Sequence, residues 1–508
     1  METITDAFNS VINAINSFLW GNEDFPFFLQ AGVLGVLLIG AGLYFTIRLR
    51  AIQFREFGSF FRVFAKGFRP EHEDGISPFA AFATSLAARV GAGNIAGVAI
   101  AITIGGPGAV FWMWVIALLG MSTAMIEATL AQVYKERDPE ETRNTFRGGP
   151  AYYMAKGLGR RWMGVVFSVL LIIAFPLVFN ALQANTVTAA LENSFGIEPA
   201  LAGVLIALLT GVIIFGGVKR ITKFAELVVP VMALAYLAIG LVVIALNLSE
   251  VPGVLAEIVT SAFAPQEAAG GFAGYAISQA IVQGVKRGLF SNEAGLGSAP
   301  NAAATADTKH PANQGFIQAL GVFVDTIVVC TVTAMIILLS GVWQPGSPDD
   351  IGGATLTQDS LAEQVGDWGS QFVAIALVFF AFTSIIANYY YGETTVLFLK
   401  GNHRALIPLR IVVLGMVVWG SLASVPTVWN VADAALGMMA LVNLAPIIPL
   451  ARYAVPVIRN FERQLKAGRE PVFDMHDFPE LEGHVDPDVW GSRYERAEPA
   501  GGGRDPSI

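Results

Sequence analysis

Apolar runs of about 20 residues, the length a helix needs to cross a bilayer, recur from end to end of this 508-residue chain. Inside hydrocarbon every backbone amide and carbonyl must find its partner within the protein, so only helices and closed barrels span. Runs this long select helices. The balance of residues agrees, with 54% hydrophobic and 14% charged. The chain reads as an all-α polytopic membrane protein with eleven transmembrane helices. They lie at about 27–47, 78–104, 110–134, 163–192, 200–217, 224–246, 272–300, 314–341, 368–399, 405–424 and 428–455.

Lys and Arg favour the cytoplasmic side of a membrane. Of the 31 in the chain, 28 fall in alternate loops or around and beyond the end of the last span. The other three, Arg89, Lys286 and Arg287, lie inside spans. This alternation predicts a cytoplasmic-membrane protein with its N-terminus outside and its C-terminus inside. Residues 1–25 form an amphipathic pattern, with Phe8, Val11, Ile12, Ile15, Phe18 and Leu19 on one face, and are expected to lie along the outer surface. No cleavable signal is visible. Residues 26–460 read as one membrane domain, and 461–508 as an acidic, Pro- and Gly-rich cytoplasmic tail, largely disordered. The outward loop 342–367 reads either as a partial lid or as a tether. A single cysteine, Cys330, excludes an internal disulfide framework.

Two spans are not plain helices. Arg287–Ser298 reads R-G-L-F-S-N-E-A-G-L-G-S, where glycines loosen the backbone and Asn292, Ser291 and Glu293 add polar groups. Residues 89–97 read R-V-G-A-G-N-I-A-G. The two share R-x4-N-x-A-G in one register, 198 residues apart. Non-helical backbone at membrane depth survives only where protein or a wet cavity satisfies it. Paired interrupted helices at matching places in two halves point to a secondary-transporter binding site. The freed amides and positive dipole end suit a carboxylate, and the freed carbonyls suit a sodium ion. Gly91 and Gly93 permit the unwinding and a close ligand approach. The alternative is that these glycines only allow close helix packing.

Three further groups carry chemistry. Thr383 and Ser384 are adjacent hydroxyls in the ninth span. They can bind a small hard cation, or bond back to the preceding helical turn. Asn180, Gln183 and Asn185 are amides in the fourth span, costly unless paired, and either touch a ligand or join helices. Arg89, Lys286, Arg287, Glu127, Glu293 and Asp325 are charges within spans, where each needs a partner or a wet path. Pairing of Arg89 or Arg287 with Glu293 or Asp325 is expected, as structural or gating charges. All five histidines fall in loops or the tail. No nucleophile elbow, zinc-protease motif or Walker loop is present, so no enzyme activity is read. No basic patch with interleaved aromatics suggests nucleic acid.

The stretches G-A-G-N-I-A-G-V-A and G-L-F-S-N-E-A-G-L-G-S-A-P resemble the alanine or glycine:cation symporter family, the sodium:alanine symporters. F-R-G-G-P-A-Y-Y-M at 146–154, Q-G-F at 314–316, V-F-V-D-T-I-V-V-C-T at 322–331 and Y-Y-G-E at 390–393 extend the resemblance over about 26–460. It implies a LeuT-like fold of five plus five inverted repeats, about 78–246 and 272–455, preceded by one extra helix. It implies sodium-coupled uptake of a small neutral amino acid by alternating access. The V-G-x-G-N of Val90–Asn94 is also similar to the first core helix of the neurotransmitter:sodium symporters. That likeness implies sodium near the carbonyls of Ala87 and Val90 and the hydroxyls of Thr383 and Ser384. It implies a substrate carboxylate against Gly91, Gly93 and Asn94, with Ser291 and Asn292 completing the pocket and Gln183 at its side. Family members associated with alanine carry Gly-Trp where this chain has Ala387-Asn388. The change opens or polarises the pocket and brings glutamine into range beside alanine and glycine. A proton-coupled carrier of the same fold, and a transporter-derived amino acid sensor, are the alternatives.

Overall fold

The computed structural model describes residues 2–21, 32–138, 144–263, 272–344 and 353–490. Among the described residues its architecture is helical, apart from one short antiparallel pairing of Glu136–Arg137 with Phe146–Arg147 and an isolated parallel bridge of Ile76 with Ala306. The principal helices in chain order are α1 (Glu2–Trp20), α2 (Gly32–Arg48), α3 (Pro78–Arg89) and α4 (Val98–Gly105). Then come α5 (Gly108–Val133), α6 (Arg161–Phe195), α7 (Pro199–Ile214), α8 (Gly217–Leu246) and α9 (Phe272–Asn292). The last are α10 (Ala312–Ser340), α11 (Ala354–Val365), α12 (Trp368–Lys400), α13 (Leu406–Leu422) and α14 (Val425–Lys466).

Each span read from the sequence meets a helix. Among the described residues seven helices are long and apolar enough to cross a membrane, and α3 with α4 forms an eighth if the pair, bent by 51°, is one span. Helices α2 and α7 are shorter, at 17 and 16 residues. The count of eleven therefore belongs to the topology proposed below. Leu201, Leu205, Leu208 and Leu209 of α7, and Leu227, Val231 and Leu234 of α8, turn outward. Among the described residues these side chains are exposed, and their apolar character suits a lipid-facing position.

Local chemistry sets the ends and the irregularities. Ser77 caps α3, its hydroxyl accepting from the Ala80 amide at 3.0 Å, and Pro78 takes the first helical position, where its missing donor costs nothing. Three stretches are wound wider than an α-helix: Gly93–Gly97, Ile173–Phe179 around Pro176, and Phe323–Cys330. Such turns gather at functional sites, and all three line the region described next.

Two expectations need correction. The tail from 461 is not disordered over 461–490. Helix α14 continues to Lys466, and 467–490 folds back with Phe473, Phe478, Leu481 and Trp490 buried. Phe473 stacks on Phe478 at 5.0 Å and meets Trp490 edge-on at 5.3 Å. Those aromatics supply the apolar area that composition alone hides among acids and prolines. His310, packed against Phe461 and Phe473, is pushed down to about 3 by burial. Residues 491–508 lie outside the described residues. The segment 342–367, expected to face outward, is likewise more than a tether over its described part. Helix α11 packs inward, Thr357 donating to the Ile95 carbonyl at 3.3 Å and Gln358 to Ser194 at 2.6 Å. Helix α1 is tied to the rest of the fold at one end. Its end docks on α14, through Asn16 to the Asn430 carbonyl and Trp20 to the Asp433 carbonyl.

Close packing depends on glycine at particular crossings. A Cβ on Gly420 of α13 would sit 2.3 Å from the Ala181 carbonyl oxygen of α6, so only backbone movement could admit it. Gly415, on the same helix, has nothing within 4 Å of that position. Gly420→Ala should therefore cost about 1–3 kcal/mol and lower the thermal unfolding midpoint in detergent by several degrees. Gly415→Ala should leave it unchanged. Equal midpoints for the two variants would contradict the assigned crossing.

Candidate functional site

Helix α3 ends at Arg89. Val90 is extended and the wide turn begins at Gly93. The backbone released there is taken up by side chains. The Gly91 amide donates to Asn94 Oδ1 at 2.9 Å, and the Ala92 amide to Gln183 Oε1 at 2.9 Å. A Cβ at Gly91 would fall 2.5 Å from Ser384 Oγ and 2.8 Å from Gln183 Nε2. One at Gly93 would fall 2.7 Å from the Phe290 ring. Both positions need glycine because other groups already lie against the chain.

The second interruption follows α9. Glu293, Gly295 and Gly297 adopt φ of 59°, 94° and 78°. The left-handed value is ordinary for glycine and costly at Glu293. Glu127 of α5 holds the segment. Its Oε2 accepts from the Gly295 amide at 2.9 Å, and its Oε1 is bonded by Asn443 Nδ2. Asn443 Nδ2 also reaches the Gly295 carbonyl, while Tyr153 donates to Asn443 Oδ1. Ser298 donates to Glu293 Oε2 at 2.6 Å. Asn292 Oδ1 accepts from the Ala294 amide at 3.0 Å, and its Nδ2 is buried with no partner among the described residues.

Asp325, in the wide turn of α10, joins the two interruptions. Asn94 Nδ2 donates to its Oδ1 at 2.7 Å. Ser291 and Thr326 donate to its Oδ2. Asn94 Nδ2 and Ser291 Oγ are themselves 3.1 Å apart. This carboxylate is fully buried and has no ion pair among the described residues.

A second set of oxygens meets on the other side of the first break. Ser384 Oγ lies 2.8 Å from the Ala87 carbonyl, 3.4 Å from that of Val90 and 2.9 Å from that of Phe380. Thr383 Oγ1 bonds the same Phe380 carbonyl at 2.9 Å and faces Met232 Sδ at 3.8 Å. Both hydroxyls bond back into their own helix, and Ser384 alone also reaches the broken one. Oxygens without charge are the donor set of a hard monovalent or divalent cation. Among the described residues no group of three His, Cys, Asp or Glu side chains has metal-site geometry.

The amides of α6 divide. Gln183 touches the broken backbone. Asn180 Oδ1 accepts from Asn388 at 3.0 Å and its Nδ2 donates to the Ile385 carbonyl. Asn388 Oδ1 is buried without a partner among the described residues. Asn185 is remote from the break and joins helices, donating to the Gly420 and Ala423 carbonyls of α13 and the turn after it.

The expected ion pairs are not formed. Arg287 pairs with neither Glu293 nor Asp325. It makes a bidentate contact with Asp433 of α14 at 3.1 and 3.0 Å, and Lys286 joins it at 2.5 Å. Asp433 lies one turn beyond Trp429, whose ring the Arg287 guanidinium covers at 4.7 Å. A stacked column runs from Phe175 through Phe179 and Phe290 to Trp429, with ring separations of 4.9, 4.5 and 5.0 Å. Arg89 donates to the Gln318 carbonyl and forms no ion pair among the described residues. Asp433 and Asn443 were both legible as polar residues within an apolar run. The aromatic column and the Phe380 carbonyl had no such signal.

The model of the sodium:alanine symporter family matches residues 5–475. The probable sodium/glutamine symporter GlnT of Bacillus subtilis is 48% identical over 91% of this chain and 92% of its own length. The amino-acid carrier protein AlsT of the same organism is also 48% identical, over 93% of this chain and 96% of its own. The sodium/alanine symporter AgcS of Methanococcus maripaludis is 40% identical, over 89% and 97%. The solved structure of MhsT in complex with L-phenylalanine superposes with a TM-score of 0.51 at 15% identity, covering 76% of this chain and 99% of that one. At that identity the likeness establishes the fold, which is LeuT-like. With the family model spanning nearly the whole chain, this multi-pass membrane protein belongs to the sodium:alanine symporter family.

Proposed function

We propose that the protein is a sodium-coupled symporter of a small neutral amino acid, working by alternating access between the two interrupted helices. The observation that carries this is the meeting of both unwound segments at one polar cluster, with Asp325 bonded to Asn94 on one side and Ser291 on the other. The substrate carboxylate takes the amides of the first break at Gly91, Ala92 and Gly93, favoured by the dipole of the helix that starts there. Gln183 Oε1 stands at the acceptor position on the Ala92 amide. It gives way to the carboxylate and then donates to it through Nε2. Asn292 Nδ2 and Asn388 Oδ1, buried and unpartnered, supply a donor and an acceptor to the rest of the substrate. That complement suits an amide side chain, so glutamine stands beside alanine and glycine as a candidate. The name of GlnT supports the first and that of AgcS the second.

Sodium sits among the carbonyls of Ala87, Val90 and Phe380 and the hydroxyls of Ser384 and Thr383. Two of these oxygens belong to the broken helix and three to α12, so the cation draws the two elements together and loads the carrier. Asp325 is the counter-charge available to the ammonium group of the substrate. Glu127, with Asn443, fixes the second break instead of titrating in the cycle. Arg287, Asp433 and the ring of Phe290 close the side of the site from which α9 arrives. The distribution of Lys and Arg supports an outward N-terminus and an inward C-terminus in the cytoplasmic membrane, with eleven spans and α1 on the outer face. The transporter domain is 26–460, its repeats about 78–246 and 272–455. One copy is sufficient for transport.

Purified protein in liposomes should accumulate labelled alanine, glycine or glutamine only when an inward sodium gradient is imposed. Accumulation driven by a pH gradient without sodium would contradict the reading. Ser384→Ala should raise the sodium concentration for half-maximal uptake about tenfold, equivalent to about 1.4 kcal/mol. Thr383→Ala should do less, because its hydroxyl does not reach the broken helix. Unchanged sodium dependence in Ser384→Ala would remove the assignment. Gln183→Glu places a second negative charge where the substrate carboxylate sits. It should weaken amino acid uptake by at least about tenfold, while Gln183→Asn, which keeps the amide, should lose less. A Gln183→Glu carrier with normal substrate affinity would contradict the carboxylate position.

A further inference from the structure

A cavity of about 540 Å³ opens where α2 ends and α14 leaves the membrane domain, and it takes no part in the transport site. Its wall carries five cations, Arg50, Arg55, Arg459, Arg463 and Lys466, against three carboxylates, Glu462, Asp477 and Glu480. Two of the cations are committed. Arg55 pairs with Glu462, and Lys466 with Glu462 at 2.6 Å and Glu56 at 2.9 Å. Arg459 donates to the Arg48 carbonyl at 2.9 Å. Among the described residues Arg50, Arg459 and Arg463 have no carboxylate partner. The wall thus carries three arginines outside any ion pair and, with five cations against three carboxylates, a net positive charge.

The backbone supports a use for them. Arg50 and Ala51 hold φ of 56° and 51°, a left-handed pair that costs a side-chain-bearing residue free energy. Glycine would relieve the strain. Arg50, kept there despite the strain, lines the cavity. The neighbours on either side, Ile47 and Phe54, are 73% and 61% exposed. Exposed apolar side chains beside arginines mark the boundary between headgroups and acyl chains. Leu49, Pro456 and Phe478 give the hollow an apolar floor. The volume is far larger than a bare phosphate ion needs and falls within the range of small-molecule sites.

We propose that this cavity binds the phosphate headgroup of an anionic glycerophospholipid, its phosphate held by Arg50, Arg459 and Arg463 and its acyl chains lying along Ile47 and Phe54. The placement in the cytoplasmic leaflet rests on the orientation proposed above, and that leaflet is the anionic one. Guanidinium forks match phosphate oxygens in bidentate geometry. The bound lipid bridges the first span, the last helix and the tail segment at Phe478, and so fastens the tail to the membrane domain.

The test uses the full-length protein in detergent and reads lipid binding, so its outcome is independent of whether transport is ever measured. Phosphatidylglycerol should raise the thermal unfolding midpoint by several degrees, and phosphatidylcholine should not. The triple variant Arg50→Gln, Arg459→Gln, Arg463→Gln should need at least about tenfold more phosphatidylglycerol for the same shift, while Arg220→Gln behaves as wild type. Photoactivatable phosphatidylglycerol on the unmodified protein should crosslink within 47–55 and 456–466. That second reading stands even if the triple variant does not fold. Equal stabilisation by phosphatidylcholine, an undiminished response in a folded triple variant, or crosslinks only elsewhere would overturn the proposal. Stabilisation by millimolar inorganic phosphate equal to that by the lipid would assign the cavity to a soluble phosphate and likewise overturn it.

Discussion

The carboxylate of Asp325 lies between two helices that have come apart. It accepts from Asn94 beside the first break and from Ser291 beside the second, and Thr326 completes its shell. A buried carboxylate without a cation is expensive, by several kcal/mol even after relaxation. It persists here because three neutral donors converge on it, and hydrogen bonds to a charged acceptor are each worth about 1.5–3 kcal/mol. Two of the donors, Asn94 and Ser291, come from the two interrupted helices, so satisfying this one group ties those helices to each other. If the first break were wound back into helix, Asn94 would turn away and leave the charge short of a donor. The open backbone and the buried acid therefore hold one another in place.

The same logic repeats at the second break with different partners. Glu127 grips the Gly295 amide, and Asn443 grips both that carboxylate and the Gly295 carbonyl. Left-handed backbone at Glu293, Gly295 and Gly297 is sustained by contacts from α5 and α14. Around these polar links lies an apolar seal. Phe290 covers the first break at Gly93 and carries the aromatic column towards Trp429, above which Arg287 and Asp433 close the structure. The polar backbone of the first break thus lies against an aromatic wall. Hydrogen bonds and charge interactions are strongest where water is excluded, which is what a carrier needs to make the binding of one ligand sensitive to the other.

Much of this was legible in the sequence because membrane burial makes polar residues informative. Both interruptions were evident from glycines and asparagines placed inside apolar runs, and Asp325, Gln183 and Ser384 stand within hydrogen-bonding distance of residues at or beside those breaks. Partner choice was not legible. Arg287 turned to Asp433, an acid in the last span, because helix rotation and tilt decide which faces meet, and a single sequence does not encode those angles in a readable pattern. The fifth oxygen at Ser384, a Phe380 carbonyl, carries no side-chain signature at all. The tail was misread over 461–490 for a related reason. Its average composition is acidic and Pro-rich, yet a few spaced aromatics, Phe473, Phe478 and Trp490, find one another and the membrane domain.

If the two breaks form one site for both ligands, their binding must be coupled, and thermodynamic linkage makes the coupling reciprocal. Equilibrium binding to the purified protein tests this without any flux. Labelled amino acid should bind at least about tenfold more tightly in sodium than in potassium or choline, and saturating amino acid should tighten sodium binding by the same factor. Amino acid binding of equal affinity with and without sodium would contradict a shared site at Asp325 and Asn94, whatever the gross fold.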